Sequence, residues 1–281
     1  MSEAQDRAAV PMDTEISIQA LHKAFDENRV LRGVELEIGR GEFVAIVGGS
    51  GCGKTVLLSH ILGLLTPDKG RVLVADHEQA EAPLVDLSSF EDEIELARIH
   101  THWGVVFQRN ALFSGSVFDN LALWLREIKN LDDGAINEIA GSVLAAVALP
   151  TGAEFLETDA ASLSGGMAKR LAIARALSMD PVVLFYDEPT TGLDPVSASQ
   201  IQELILTTHQ DRRASNIVTT SIIITHDKDL LSQLHPRTVM LHDGRVYFDG
   251  PFEEFQNAAS AIIRPYFELM PVLHGGASEF H

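Results

Sequence analysis

The segment that most restricts the fold is FVAIVGGSGCGKTVLLSHILGLL, at residues 43–65. An apolar run of strand length leads into the pattern G-x-x-x-x-G-K-T at residues 48–55. Apolar residues at helical spacing follow this pattern, namely Leu57, Leu58, Ile61, Leu62 and Leu65. This order of strand, loop and helix is the context that a P-loop for nucleotide phosphates requires.

Each part of this loop has a physical reason. Glycine lets backbone N–H groups converge on phosphate oxygens with no Cβ in the way, and the helix N-terminus adds a positive field. Lys54 is expected to reach the β- and γ-phosphates, and the Thr55 hydroxyl is expected to bind Mg²⁺. A glycine-rich loop without nucleotide is the alternative, which the context disfavours. The predicted nucleotide-binding residues of the loop are Gly48, Gly49, Ser50, Gly51, Cys52, Gly53, Lys54 and Thr55.

A second motif, PVVLFYDEPTTGLDP, covers residues 181–195. Its continuous apolar run is typical of a strand that is covered on both faces. Asp187 and Glu188 stand at the carboxyl end of this strand, where open parallel sheets bind their ligands. We expect Asp187 to hold Mg²⁺ and Glu188 to orient and deprotonate the attacking water. Either carboxylate alone would be read as a solvated surface charge.

A third motif, SLSGGMAKRLAIARAL, covers residues 162–177. Ser164, Gly165 and Gly166 open a predicted helix, whose free N–H groups can bind an anion. Taken alone, Ser-Gly-Gly indicates only the start of a helix.

The rest of the chain alternates short apolar runs with helical patterns, which predicts an α/β protein with a mostly parallel sheet. Strands expected at 16–20, 34–38 and 43–47 predict a small antiparallel layer before this sheet. Ser116 and Asp119 are spaced as a capping box at the start of an inserted helical region, in which Leu121, Trp124, Leu125 and Ile128 form an apolar stripe. The acidic stretch 76–95 is expected to be a solvated surface.

The C-terminal part begins with a predicted hairpin at Asp243-Gly244, between two apolar runs. The catalytic body is expected to end near Gly250. Residues 251–281 then carry much apolar surface, which either folds back on its own domain or docks on another subunit. Under the second interpretation, truncation after Gly250 weakens dimerisation and leaves ATP affinity nearly intact.

Composition restricts partners and compartment. The chain has 281 residues and a net charge of −19, which argues against the broad basic face of a nucleic-acid binder. Cys52 is the only cysteine, so no intramolecular disulfide forms and a reducing cytosol is expected. No stretch approaches the roughly 18 uncharged apolar residues that span a bilayer, and residues 1–12 lack the apolar core of a signal peptide. A membrane role would therefore come through a partner.

Together the motifs resemble the ATP-binding-cassette (ABC) family, whose LSGGQ signature here reads LSGGM at residues 163–167. The resemblance covers about residues 15–250 and implies further site residues. Phe25 matches the aromatic position that stacks on adenine, Gln108 the Q-loop, Asp194 the D-loop, and His226 the switch histidine that contacts the γ-phosphate. Gln108 would also reach the metal, as Thr55 and Asp187 do, and would join Glu188 and His226 in catalysis.

The resemblance implies a fold and a domain division. The fold is an α/β P-loop NTPase with a parallel core sheet, an antiparallel β-subdomain and a helical subdomain at about 110–178. A flexible N-terminus at 1–14 precedes the ATPase domain at 15–250, and a C-terminal extension follows at 251–281. In this family two cassettes pair head to tail, so Ser164, Gly165 and Gly166 of one copy close over ATP held by Lys54 of the other.

Within the family, the segments GKTVLLSHILGLLTPDKG, FQRNALFSGSVFDNLALWLRE and LSGGMAKR are similar to the Mla-type ATPases of phospholipid transport. That branch implies a homodimer, transmembrane permease subunits, an MCE-domain lipid-binding protein and, in some systems, an accessory cytoplasmic subunit. The location implied is cytoplasmic, peripheral on the inner face of the cytoplasmic membrane. The alternatives are the ATPase of a small-solute importer and a soluble regulatory ATPase.

Overall fold

The fold consists of two sheets surrounded by helices, and the computed structural model describes residues 13–90, 93–214 and 218–270. The strands are β1 (Thr14–Phe25), β2 (Asn28–Gly39), β3 (Phe43–Val47), β4 (Lys69–Ala75), β5 (Leu84–Asp86), β6 (Trp103–Val106), β7 (Val183–Asp187), β8 (Thr220–Ile224), β9 (Arg237–His242) and β10 (Arg245–Pro251). The helices are α1 (Lys54–Ile61), α2 (Glu93–His100), α3 (Val117–Glu127), α4 (Asp133–Ala146), α5 (Ala153–Leu156), α6 (Gly165–Ser178), α7 (Pro195–Ala214), α8 (Lys228–Leu234), α9 (Phe252–Gln256) and α10 (Ile263–Leu269).

The strands form a mostly parallel core sheet and an antiparallel layer, as predicted. The expected strands at 16–20 and 34–38 lie within β1 and β2 of the antiparallel layer, whereas the expected strand at 43–47 is β3 and belongs to the core sheet. The core sheet has the order β10-β9-β3-β8-β7-β6, in which β10 alone is antiparallel to its neighbour. The second sheet has the order β2-β1-β4-β5 and is antiparallel throughout. β1 begins at Thr14, so the part of the expected flexible N-terminus at residues 1–12 lies outside the described residues.

The core sheet is covered on both faces, as its apolar strands predict. In β3, Val44 and Ile46 face a cluster that includes α1 and the antiparallel sheet. Ala45 and Val47 face the opposite cluster, which includes α6, α7 and the C-terminal helices. Side chains alternate between the two faces of a strand, so each core strand contributes to both clusters. Packing on both faces holds the core strands in place, together with the strand ends from which the loops emerge.

Helices α3 to α6 occupy the region predicted to be helical. The Ser116 side chain accepts from the Asp119 N–H and the Asp119 carboxylate accepts from the Ser116 N–H, which completes the predicted capping box. The expected apolar stripe of α3 is buried only in part, because Leu121 and Leu125 are inside whereas Trp124 and Ile128 are 43% and 38% exposed. The exposed half of the stripe faces a cavity described below.

The expectation of a solvated acidic surface at residues 76–95 is wrong for Asp76. This carboxylate is fully buried and lies 2.7 Å from the Arg98 guanidinium. Gln79 and the Glu78 N–H also donate to it. The hydrogen bonds compensate the cost of burying the charge, and they attach the loop after β4 to α2. The pKa of Asp76 is lowered, since these donors outweigh the desolvation that opposes them.

The predicted hairpin forms with Asp243 and Gly244 both at positive φ, at 48° and 71°, as a type I′ turn requires. The chain then folds back on its own domain. Four apolar side chains of the C-terminal helices are buried in the main core, namely Phe252, Phe255, Ile263 and Phe267. Residues 271–281, including part of the apolar tail, lie outside the described residues.

Burial of the C-terminal helices predicts different costs for two positions on the same helix. Ile263 of α10 is 3% exposed, whereas Leu269 is 83% exposed. We expect Ile263→Ala to lower the free energy of unfolding by about 2–5 kcal/mol, because it leaves a cavity. Leu269→Ala should change it by less than about 0.5 kcal/mol. Urea unfolding followed by circular dichroism measures both, and equal effects of the two variants would contradict the described packing.

Candidate active site

The candidate site lies where parallel strands end together. β3, β8 and β7 are neighbours in register, so their carboxyl ends meet at one edge of the core sheet. The glycine-rich loop follows β3, Asp187 and Glu188 stand at the end of β7, and His226 comes two residues after β8. The topology therefore brings together groups that lie far apart in the sequence, at the edge where such sheets bind ligands.

The phosphate-binding loop is wound around its lysine. The Lys54 ammonium donates to the Gly48 carbonyl at 2.7 Å and to the Gly49 carbonyl at 3.3 Å. Gly53 caps α1 with a φ of 107°, and a Cβ there would meet the Leu31 side chain at 2.8 Å. Between these fixed ends the loop is open, because Gly49, Ser50, Gly51 and Thr55 are exposed. The exposed residues of the loop, with the Thr55 hydroxyl, are therefore accessible to a phosphate chain, while the Cys52 N–H donates to the Gly49 carbonyl at 3.2 Å.

The Cys52 thiol belongs to the underside of the loop. It packs against the cluster beneath the antiparallel sheet, and its sulfur lies 2.6 Å from where a Cβ on Gly48 would stand. Burial raises the pKa of this thiol above its ordinary value, with Lys54 acting in the opposite direction. Cys52 therefore supplies packing and a backbone N–H to the loop.

Asp187, Glu188 and His226 form the acidic end of the site. His226 Nδ1 lies 2.7 Å from Glu188 Oε2, and the Thr191 hydroxyl lies 3.3 Å from the same oxygen. Glu188 has a φ of 47°, in a left-handed region that costs a side-chain-bearing residue about 1–3 kcal/mol and is concentrated at functional sites. Its N–H donates to the Ile224 carbonyl at 2.9 Å, which holds this conformation.

The Asp187 carboxylate is suited to a divalent cation. Desolvation and the neighbouring Glu188 charge raise its pKa, and a bound cation would offset both effects. The Thr55 hydroxyl and the Gln108 amide are the further oxygen donors that the sequence predicts, and Mg²⁺ prefers oxygen ligands. Both side chains are accessible or partly so. In the described part of the chain, no cluster of three His, Cys, Asp or Glu residues offers another metal site.

The signature and D-loop residues lie side by side. Ser164 caps α6, its hydroxyl accepting from the Met167 N–H at 3.3 Å. Asp194 caps α7 in the same way, since the Val196 and Ser197 N–H groups donate to its carboxylate. Donation from the Ser197 hydroxyl and from these N–H groups lowers the pKa of Asp194. A Cβ on Gly166 would meet the Ser197 hydroxyl at 2.7 Å, so the two helix starts touch. Ser164 and Gly165 are exposed, so this helix start is accessible to another molecule, whereas the predicted site residue Gly166 is buried.

Phe25, the predicted adenine platform, is at the tip of the β1–β2 hairpin. Its ring is 44% exposed, and the Lys23 ammonium lies 5.6 Å from the ring centroid. An exposed aromatic face can stack on a base.

Lys169 is a residue of the site that no sequence motif predicts. It is 1% exposed, and its ammonium donates to the carbonyls of Phe107 and Gln108 at 2.9 and 3.0 Å. It therefore ties the signature helix α6 to the base of the Q-loop. Desolvation lowers its pKa to about 8, and Asp187 acts in the opposite direction. The only sequence signal was a lysine on the buried face of a helix.

These features define a P-loop nucleoside triphosphatase, with a phosphate cradle, a paired carboxylate and a histidine at one sheet edge. The sequence model of the family described as ABC transporter matches residues 31–191, which is more than half of the chain. The chain belongs to the ABC transporter family and has its ATP-binding, ATP-hydrolysing domain.

Several proteins of known type are similar along most of the chain. Protein TRIGALACTOSYLDIACYLGLYCEROL 3, chloroplastic, from Arabidopsis thaliana is 34% identical, over 90% of this chain and 73% of its own length. The intermembrane phospholipid transport system ATP-binding protein MlaF of Haemophilus influenzae is 35% identical, over 79% and 78%. The aliphatic sulfonates import ATP-binding protein SsuB 1 of Rhizobium johnstonii is 38% identical, over 84% and 76%.

A solved ATP-binding cassette has a similar fold. A dimeric ATP-binding cassette, solved in a post-hydrolysis state with ADP and Pi, superposes with a TM-score of 0.70 at 26% identity and covers 84% of this chain and 98% of that one. The predicted fold class is therefore confirmed. No helix in the described ranges has the length and apolar character needed to cross a membrane.

Burial of Lys169 predicts a specific pH dependence of stability. The folded protein releases the Lys169 proton near pH 8, whereas the unfolded chain holds it to about 10.5. The unfolded state therefore binds more protons between these values, and stability rises with pH there. We expect the unfolding free energy of the wild type, relative to Lys169→Met, to increase from pH 8 to 10.5.

Chemical denaturation at several pH values measures this difference. The control is Lys129→Met, which removes an exposed lysine that also donates to a backbone carbonyl; its effect at pH 7 should stay below about 1 kcal/mol. A wild-type advantage over Lys169→Met that falls across the alkaline range would contradict the assignment.

Proposed function

We propose that this chain is the ATPase subunit of a transporter that moves phospholipid across the cell envelope. Two copies close on ATP and reopen after hydrolysis, and this cycle drives a permease. The observation that carries the proposal is the composite character of the site, since the catalytic groups meet at one sheet edge while Ser164 and Gly165 are exposed elsewhere.

The chemistry follows from the residues at the sheet edge. Lys54 and the loop N–H groups hold the β- and γ-phosphates, and Glu188 accepts a proton from the attacking water. His226, within 2.7 Å of Glu188, orients that carboxylate and approaches the γ-phosphate when ATP is bound. Thr55, Asp187 and Gln108 would hold Mg²⁺, which neutralises phosphate charge when bound.

The proposed homodimer is supported by the lack of described contacts between the signature residues and the phosphate-binding loop of the same chain. Hydrogen bonds and ion pairs of the described residues join none of residues 164–166 to the loop at 48–55. The signature N–H groups thus have capacity for an anion, and we infer that the anion is ATP bound to a second copy. The similarity to a dimeric cassette with ADP and Pi supports the same arrangement.

A permease would bind at an apolar cavity of about 470 Å³ between the core sheet and the helical region. Phe107, one residue before Gln108, lines it together with Leu64, Phe113, Trp124 and Ile128. All five side chains are at least 36% exposed, and an exposed apolar patch of this kind marks an interaction site. A cytoplasmic helix of the permease seated here would contact the Q-loop directly. The chain would then sit peripherally on the inner face of the cytoplasmic membrane.

Phospholipid as the cargo rests on the similarity to MlaF and on the Mla-type segments. An MCE-domain protein and an accessory cytoplasmic subunit would complete such a system. The second candidate is a small-solute importer, which the 38% identity to an aliphatic sulfonates import protein favours. Purification of the intact complex from detergent-solubilised membranes, with mass spectrometry of bound lipid and proteins, separates the two. Phospholipid with an MCE-domain protein supports the proposal, and a permease with a solute-binding protein contradicts it.

Replacing Glu188, the proposed general base, should trap the dimer with ATP bound. Glu188→Gln should retain ATP affinity, because the phosphate contacts remain, and should lower turnover by about 10²–10⁴-fold. The variant should elute as a dimer in ATP and Mg²⁺ and as a monomer after ATP is removed. Phosphate release and size-exclusion chromatography provide the readouts. Wild-type turnover in this variant would exclude Glu188 as the base.

If a permease docks in the apolar cavity, permease binding and ATP binding can be separated by mutation. Trp124→Glu places a charge in the cavity and should abolish copurification of the permease, while ATP binding by the isolated chain is unchanged. Leu269→Glu changes a side chain that is 83% exposed on another surface and should retain the permease. Equal recovery of the permease with both variants would reject the apolar cavity as its docking site.

A further inference from the structure

The C-terminal helix α10 makes a direct contact with the phosphate-binding loop. The Gly48 N–H donates to the Tyr266 hydroxyl at 3.0 Å, across 218 residues of sequence. Gly48 is buried, so water does not readily replace this acceptor. The first glycine of the loop is therefore attached to a residue outside the motifs that define the nucleotide site.

Several contacts restrain the backbone of Gly48. Its N–H is bound by Tyr266, and its carbonyl accepts from the Lys54 ammonium at 2.7 Å. Its φ is 147°, and a Cβ would collide with the Leu241 carbonyl and with the Cys52 sulfur. Because Lys54 is the predicted phosphate ligand, the Tyr266 hydroxyl and the phosphate-binding ammonium hold opposite ends of one residue.

Tyr266 is itself held firmly. Its ring packs edge-on against Phe255, with centroids 6.5 Å apart, and Phe255 is fully buried. The next residue, Phe267, lies under the Lys228 ammonium, 4.2 Å from the ring centroid. Lys228 begins α8 two residues after His226. Adjacent residues of α10 thus contact both the phosphate-binding loop and the segment that follows the switch histidine.

We propose that Tyr266 is a positioning residue of the ATP site, whose hydroxyl keeps Gly48 in the conformation that Lys54 needs to bind phosphate. Burial raises the pKa of this phenol to about 12, so the hydroxyl remains neutral at ordinary pH. Phenylalanine would fill the same space but would leave the Gly48 N–H without an acceptor. The loop would then rearrange to expose that N–H to water, and ATP binding would have to reverse the rearrangement.

The inference revises the expectation that truncation after Gly250 leaves ATP affinity intact, since truncation removes Tyr266 as well as buried core residues. It rests on the proposed function only in taking ATP as the ligand. If the wild type neither bound nor hydrolysed ATP, the proposed function would fail before Tyr266 was tested.

The test compares Tyr266→Phe with Tyr247→Phe in the purified full chain. Tyr247 is 45% exposed, and its hydroxyl lies 2.9 Å from the Ser260 hydroxyl, so the control deletes the same group at a residue that hydrogen-bonds to Ser260 rather than to the loop. Tyr266→Phe should raise the dissociation constant and KM for ATP with Mg²⁺ about fivefold or more. Its kcat should stay within about twofold of wild type, because Glu188 and His226 are untouched. Tyr247→Phe should match wild type in every measurement.

Hydrogen exchange of the peptide containing Gly48 provides the second readout. Without nucleotide, the Gly48 amide should exchange faster in Tyr266→Phe, while core strands keep wild-type protection. Unchanged ATP affinity together with unchanged exchange would overturn the proposal. A loss of protection throughout the core, with kcat and ATP affinity falling together, would also overturn it, since the hydroxyl would then serve general stability.

Discussion

The alignment of three parallel strands at one edge of the core sheet is the constraint on which the site depends. β3, β8 and β7 are hydrogen-bonded neighbours, and apolar side chains packed on both faces of the sheet hold the three strands in this alignment. A loop that must place N–H groups, a paired carboxylate and a histidine around one triphosphate needs such an edge. The helices therefore contribute to function first by burying the sheet that sets these positions.

A second constraint underlies the proposal that two copies share each ATP. The loop around Lys54 is open to solvent, and Ser164 and Gly165 are exposed at the start of α6. Lys169 joins that helix to the carbonyls of Phe107 and Gln108, which is the contact through which the proposed cycle would couple the signature helix to the Q-loop. The apolar cavity beside Phe107 is where we propose that a permease reaches the same element.

Local signals in the sequence were sufficient for the elements that carry the motifs. The Gly-rich loop, the Ser116–Asp119 capping box and the Asp243-Gly244 turn depend on neighbours a few residues away, and each has the expected conformation. The contacts that position these elements depend on tertiary packing. The Glu188–His226 pair spans 38 residues and the Gly48–Tyr266 hydrogen bond spans 218, so no periodicity or spacing could indicate them. The burial of Asp76 escaped prediction for the same reason, because its partner Arg98 is on a separate helix.

The central claim is that two copies share each ATP. A cryo-electron microscopy structure of the Glu188→Gln complex with its permease, ATP and Mg²⁺ tests it most directly. The account predicts Ser164 and Gly166 of one copy within hydrogen-bond distance of the γ-phosphate that Lys54 of the other copy holds. Density for ATP at both loops, with both signature helices remote from any nucleotide, would contradict it.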